Sequence, residues 1–278
     1  MIMYQDDLIN KIERIFGKEA NKLQIYGMST GTGEHIKRPE EDEVLIEKAE
    51  QSLFRSGVGL LLYLVEFSRP ALSNAVRELS KVLDGATPVH MKNLMRGIKY
   101  VLYTRERVLR FEVRDQEGTQ CSLKAFSDCD WAGSKDDRRS IGYYIYLKGC
   151  LVSWKSRGQK HVILSSTEAE YVAVAEACAD IMFIKRIMEL LKVEVQRPVT
   201  VFCDNVGAIF LGNNAKQSVR TKPIDIKYHF IREHVVDRVV EIVFVPSAEN
   251  DSDKFTNNVG KETYKKHVDK SMTSMETI

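Results

Sequence analysis

Ser122-Leu123-Lys124-Ala125-Phe126-Ser127-Asp128 alternates apolar and polar side chains as a half-buried strand does, and it ends on a carboxylate. Two more β-like runs follow, 143–147 and 151–154, with Gly149 at the turn between them. A long helix is expected next, from about Thr167 to Leu191. Its stripe of Ala169, Ala173, Ala177, Ile181, Ile184, Met188 and Leu191 has helical spacing, small at the start and large at the end. Ser165, Ser166 or Thr167 can cap it, and Glu168 and Glu170 suit its electropositive first turn. Val199-Thr200-Val201-Phe202-Cys203 reads as a buried strand, and an acid, Asp204, again follows it. A short helix over 206–211, a helix over 223–238, a strand over 241–245 and a last helix over 249–259 complete the order β-β-β-α-β-α-α-β-α. Strands interleaved with helices in this way give an α/β domain with a mixed five-stranded sheet.

Upstream of residue 112 the texture is mostly helical. Leu8, Ile9, Ile12, Ile15 and Phe16 have helical spacing over 4–17, with Gly17 as the expected stop. Residues 27–43 read as a loop. From 43 to 103 the helical pattern returns, broken at Ser68-Arg69-Pro70 and again at Gly85-Ala86-Thr87-Pro88. The 278 residues, 44% hydrophobic, suffice for one large domain or two ordinary ones. With a net charge of +2 there is no global basic field, so any nucleic-acid contact must come from local Lys/Arg patches. The best of these is Arg138, Arg139, Lys155, Arg157 and Lys160. The five cysteines form no CxxC pair, which argues against a disulfide framework or a zinc site and fits a reducing compartment. Asp6 and Asp7 precede any apolar run, unlike a secretory leader, and the longest apolar stretch, 58–65, is too short for a bilayer. The expectation is an intracellular chain, in cytoplasm or nucleus, with no membrane partner.

Four acids fall at topologically special places. Asp128 and Asp204 end strands, Glu170 lies in the first turn of the long helix, and Asp253 follows the last strand. Ligand sites in α/β sheets form beyond the carboxyl ends of strands. Carboxylates gathered there repel one another and hold protons more tightly, a penalty that divalent cations remove. Oxygen ligands suit Mg²⁺ or Mn²⁺, and a pair of ions about 4 Å apart can activate water and stabilise the leaving oxygen of a phosphodiester. Glu168 competes with Glu170 for this role. Glu170 shares the stripe of Ala173, Ala177 and Ile181, whereas Glu168 points away and suits capping. Asp130, two residues beyond Asp128, shares its side of the strand.

Phe126-Ser127-Asp128-Cys129-Asp130-Trp131-Ala132-Gly133 resembles the opening strand motif of the ribonuclease H domain in Ty1/copia-type retrotransposon Pol polyproteins. Further motifs follow in the family's order: Asp136-Asp137-Arg138-Arg139-Ser140, Ser153-Trp154-Lys155-Ser156, Leu164-Ser165-Ser166-Thr167-Glu168-Ala169-Glu170-Tyr171, Cys203-Asp204-Asn205, Arg220-Thr221-Lys222, the run 224–233 and Phe255-Thr256. The resemblance implies a ribonuclease H-like fold, two Mg²⁺ (or Mn²⁺) ions on Asp128, Glu170, Asp204 and Asp253, and cleavage of RNA in RNA–DNA hybrids. Hybrid phosphates would lie on Arg138, Arg139, Lys155, Arg157 and Lys222. Tyr63-Leu64-Val65-Glu66-Phe67-Ser68-Arg69-Pro70 and Asn74-Ala75-Val76 resemble the segment that joins the polymerase to this domain, so the polymerase part of the same polyprotein is a further expected partner. The expected division is a helical connection region over 1–112, a ribonuclease H-like domain over 113–270 and a tail over 271–278. Tyr4-Gln5-Asp6-Asp7 imitates a polymerase motif, but an amphipathic helix follows it where an apolar hairpin is needed; no polymerase activity is expected. The chain departs from the family at Ala71 (usually Asp), at Pro223 (usually His) and at Asn257-Asn258 (usually Lys-Pro). The stretch 139–143 is one residue short, with a possible shift of strand register. A folded module that binds hybrid without cleaving it, or that docks on a polymerase subunit, is the alternative on the same residues.

Overall fold

The computed structural model describes residues 1–24, 35–112, 120–130, 140–158, 165–213, 222–256 and 261–275. In chain order the elements are β1 (Ile2–Met3), α1 (Asp6–Ala20), α2 (Lys48–Phe67), α3 (Ser73–Ser80), α4 (Pro88–Tyr103), β2 (Arg107–Arg110), β3 (Leu123–Asp130), β4 (Ser140–Leu147), β5 (Cys150–Gly158), α5 (Ser166–Leu190), β6 (Val199–Cys203), α6 (Val206–Asn213), α7 (Lys222–Val236), β7 (Val240–Phe244), α8 (Asp253–Thr256), α9 (Lys261–Ser271) and β8 (Met272–Ser274). They form two compact units: residues 1–111 with 258–278, and residues 112–257. Among the described residues no helix is long and apolar enough to cross a membrane.

The first unit is helical, with one small sheet. Ile9, Ile12 and Phe16 of α1 interlock with Phe54, Leu61 and Leu64 of α2 and with Leu94, Ile98 and Val101 of α4. Gly17 does not stop α1. The helix runs on to Ala20, which is fully buried, and that packing outweighs a glycine penalty of about 1 kcal/mol. Asp6 and Asp7 lie in the first turn of α1, where the helix dipole favours them, and Asp6 accepts from the Tyr4 hydroxyl. Ser68-Arg69-Pro70 ends α2 as expected. Arg69 turns inward, 2% exposed, and donates to the carbonyls of Thr104 (2.7 Å) and Arg105 (2.9 Å), joining the end of α2 to the end of α4. Burial lowers the guanidinium pKa to about 10, so it remains a cation at neutral pH. Ala71, where the family usually has Asp, is 3% exposed in the 3-10 turn after Pro70; a carboxylate there would be buried.

The division of the chain differs from the expected one at its end. Tyr264, Val268 and Met272 sit in the core of the first unit, the Tyr264 hydroxyl donates to the carbonyl of Ala71, and β8 pairs with β2 in the antiparallel sheet β1-β2-β8. The described residues 261–275 therefore pack with the first unit, where the expected domain ran over 113–270 with a tail over 271–278. A buried stripe at four-residue spacing, Tyr264, Val268 and Met272, makes that packing.

The second unit is the expected mixed five-stranded sheet flanked by helices. Strand order is β5-β4-β3-β6-β7, antiparallel from β3 to β5 and parallel from β3 to β7. Leu123 and Ala125 of β3, Tyr143 and Ile145 of β4 and Val199 and Val201 of β6 turn to one face, where Val174, Ala177, Cys178 and Ile181 of α5 cover them. The other face carries Phe126 stacked on Phe202 at 4.8 Å, with Tyr146 edge-on to Phe126. The β3–β4 register runs unbroken from Leu123–Leu147 to Asp130–Ser140; the one irregularity lies on the other side of β4, at Ile145/Tyr146. The helix expected over 249–259 begins only at Asp253, as α8, and 257–259 lie outside the described residues. The Asn250 side chain explains the delay: it donates to the carbonyl of Ser127 and accepts from Ser252 N–H and hydroxyl, holding the backbone away from a helical path.

Arg69→Ala leaves two carbonyls without donors and a void between α2 and α4. Hydrogen exchange of the whole chain is expected to show protection in α2 and α4 falling by about 3 kcal/mol, with β3 and β6 unchanged. Unchanged protection in α2 and α4 would show that the clamp contributes nothing.

Candidate active site

β3 and β6 are parallel neighbours with Phe126 opposite Phe202. Asp128 and Asp204, each two residues further along, therefore lie side by side, Asp204 just past the end of β6 and Asp128 two residues before the end of β3. Asp128 is 3% exposed, and its carboxylate accepts a hydrogen bond from the Thr256 hydroxyl. Thr256 comes from α8, which lies against β3 and β4 and begins with Asp253. Ser140 of β4 donates to the carbonyl of Thr256, and Asn250 ties the approach to Ser127, so α8 is anchored at both ends. Asp204 and Asp253 are half-buried, which gives the group an outlet to solvent.

Glu170 enters from α5. The cap is Ser165, whose hydroxyl accepts from the Glu168 backbone N–H at 3.2 Å. Glu168 is itself buried, and capping falls to the serine side chain. Ala169 and Ala173, both fully buried, let α5 approach the sheet closely, and Glu170 is carried in at 6% exposure. Cys129 donates to its carboxylate from thiol and backbone N–H. The Cys203 thiol points at Glu170 Oε2 from 3.9 Å. One carboxylate oxygen each from Glu170 and Asp204 and the sulfur of Cys203 lie within 4.8 Å of one another.

Electrostatics bind the group together. Burial, then the charges of Asp204, Asp253 and Asp130, push the Asp128 pKa up to about 8, against the pull of the Thr256 hydrogen bond. Burial, then the charges of Asp128 and Asp204, hold Glu170 well above the ordinary carboxylate range. Burial and the Glu170 charge likewise raise the Cys203 thiol. Asp128 thus feels the charges of Asp204, Asp253 and Asp130, and Glu170 those of Asp128 and Asp204.

Two of the proposed phosphate contacts are described. Lys155 and Arg157 of β5 face the middle of α5. The Lys155 ammonium lies 5.8 Å from the Tyr143 ring, whose hydroxyl donates to Asp180, and Arg157 pairs with Glu176 at 2.5 Å. Arg138 and Arg139 lie outside the described residues, as does the side chain of Lys222 at the start of α7. Pro223 occupies the second helical position there, where proline is well suited. The sequence reading passed over Thr256, Cys129 and Asn250. Thr256 and Cys129 stand inside motifs that carry the resemblance, so position in a motif was a signal; Asn250 had none.

No family model matches the chain. The Retrovirus-related Pol polyprotein from transposon RE1 of Arabidopsis thaliana is 37% identical over 218 residues, 78% of this chain and 14% of that protein. That from transposon TNT 1-94 of Nicotiana tabacum is 34% identical over 212 residues, 76% of this chain and 16% of that protein. The chain thus spans only a small part of the length of these relatives. Secreted RxLR effector protein 161 of Plasmopara viticola is 39% identical over 132 residues, 47% of this chain and 90% of that protein. Among solved structures, LC11-RNase H1 in complex with RNA/DNA hybrid matches with a TM-score of 0.36 and 20% identity over 48% of this chain and 93% of that one. Through these sequence relatives and its ordered motifs, the chain matches a part of the Pol polyproteins of Ty1/copia-type retrotransposons.

Proposed function

We propose that the second unit hydrolyses the RNA strand of RNA–DNA hybrids, with two Mg²⁺ (or Mn²⁺) ions held by Asp128, Glu170, Asp204 and Asp253. The first unit then serves as the connection toward the polymerase part of the same polyprotein. One observation carries the reading: Asp128 and Asp204 stand on neighbouring parallel strands with Glu170 against Asp204, and burial with the charges of Asp204 and Asp253 raises the proton affinity of Asp128, as burial with those of Asp128 and Asp204 raises that of Glu170. A structural role would favour fewer charges or a cationic partner, since burying unpaired like charges is costly.

The donor set fits the ions. Carboxylate oxygens are the hard ligands that Mg²⁺ takes, and a cation removes the repulsion that lifts the Asp128 and Glu170 pKa values. When bound, the ions supply a lowered pKa for water and stabilise charge on the leaving oxygen. The protein's own residues do the positioning. The Thr256 hydroxyl fixes the Asp128 carboxylate, the Cys129 N–H fixes Glu170, and half-buried Asp204 and Asp253 face the approach of substrate. Arg138, Arg139, Lys155, Arg157 and Lys222 are the proposed phosphate contacts. Arg157 can reach a phosphate while bonded to Glu176, because a guanidinium offers five N–H donors.

With labelled hybrid and Mg²⁺ the purified chain is expected to cleave the RNA strand, and Asp128→Asn to lower the rate by about 100-fold or more with the fold intact. Full activity in Asp128→Asn, or none in the parent chain, counts against the proposal.

The same repulsion sets a pH dependence. In chelator, folded Asp128 holds its proton up to about pH 8 and the unfolded chain only to the ordinary carboxylate range. Stability is then fullest in acid and is lost as pH rises toward the folded value. The melting temperature in chelator is expected to fall between about pH 5 and about pH 8, less steeply in Asp128→Asn, with Mg²⁺ restoring it. A flat profile for the parent chain would contradict this.

A further inference from the structure

The geometry points to a second, softer cation mode in the same cluster: a thiophilic divalent ion such as Zn²⁺, held by Cys203, Glu170 and Asp204, that takes two carboxylates from the Mg²⁺ site and holds the nuclease off. Scattered cysteines without a CxxC pair argue against zinc in the sequence, but the packing of α5 against β6 brings one sulfur to two carboxylates. Ligand atoms of the three residues lie within 4.8 Å of one another. Bonds of about 2.3 Å to sulfur and about 2.1 Å to oxygen put tetrahedral ligand atoms roughly 3.5 Å apart, so closure takes about an ångström of side-chain adjustment.

The donor chemistry separates the two modes. Mg²⁺ takes oxygen and has little use for sulfur, whereas thiolate selects zinc and cadmium. The sulfur is well placed: Cys203 is the last residue of β6, its carbonyl accepts from Val245 N–H at 3.0 Å, and its sulfur receives the Asn205 N–H at 3.5 Å. Cys203 has no solvent exposure, so the ion enters past half-buried Asp204, which leaves a fourth position for water. On binding, a sulfur–metal bond forms, the S–H bond breaks and its proton leaves to solvent. A second thiol, Cys129, already hydrogen-bonds Glu170, so the carboxylate that both modes need has sulfur on two sides. Because Glu170 and Asp204 are shared, the modes exclude each other; this regulatory part rests on the nuclease reading above.

Cadmium is the probe, since its thiolate complex has an ultraviolet charge-transfer band. Titrating the full chain with Cd²⁺ is expected to give the band and to release a proton into weakly buffered solvent. Cys203→Ser is expected to lose the band and weaken binding by about 10-fold or more, while Cys121→Ser, remote from the acids, keeps both. If Cys203→Ser fails to fold by circular dichroism, Glu170→Gln with all cysteines present is expected to shift the titration by about 10-fold. No band in the parent chain, or an unchanged band in Cys203→Ser, overturns the site. Zn²⁺ added to the Mg²⁺-loaded chain is expected to stop hybrid cleavage; cleavage that continues at zinc levels that saturate the site overturns the regulation. A chain that shows the band but cleaves no hybrid supports the thiolate site and removes the nuclease reading instead.

Discussion

The second unit is organised around a conflict: carboxylates that repel one another are held together where little water reaches them. Asp128 and Asp204 cannot separate, because parallel pairing of β3 with β6 fixes their places. Glu170 cannot withdraw, because alanines on either side of it bring α5 onto the sheet. α8 completes the enclosure through Thr256, Ser140 and Asn250. Without a cation, protons relieve the repulsion, which is why burial and like charge lift Asp128 and Glu170 together. With one, the same arrangement becomes a reason to bind metal.

The rest of the unit serves that enclosure. The apolar face of the sheet under α5 supplies the rigidity, and the aromatic face of Phe126, Phe202 and Tyr146 gives α8 a surface beside the acids. The proposed binding chemistry sits beside strand ends and helix starts, where the backbone is fixed on one side and open on the other. The first unit has a different logic: the deeply buried guanidinium of Arg69 is spent on backbone carbonyls that join two helix ends.

Much of this is legible in the sequence because it depends on short periods. Alternation over 122–128 and the helical stripe from Ala169 to Met188 mark the sheet and its main helix, and acids at strand ends mark the site. What escapes depends on long-range pairing. Tyr264, Val268 and Met272 form a buried stripe so short, among so many lysines and polar residues, that nothing local assigns it to the first unit. Asn250 matters only because Ser127 lies beside it in space, and Cys203 meets Glu170 only through the packing of α5 on β6. The smaller departures at Pro223 and Ala71 become intelligible once their backbone settings are known. The shortened stretch before β4 leaves the β3–β4 register unbroken, which the sequence alone left open.

The central claim is that the repelling acids are a cation site, and the most direct measurement is anomalous diffraction from crystals of the chain grown with Mn²⁺ and a hybrid that cannot be cleaved. The account predicts a pair of manganese peaks about 4 Å apart among Asp128, Glu170, Asp204 and Asp253. Manganese absent from these carboxylates at saturating concentration, with the acids still clustered, would contradict it.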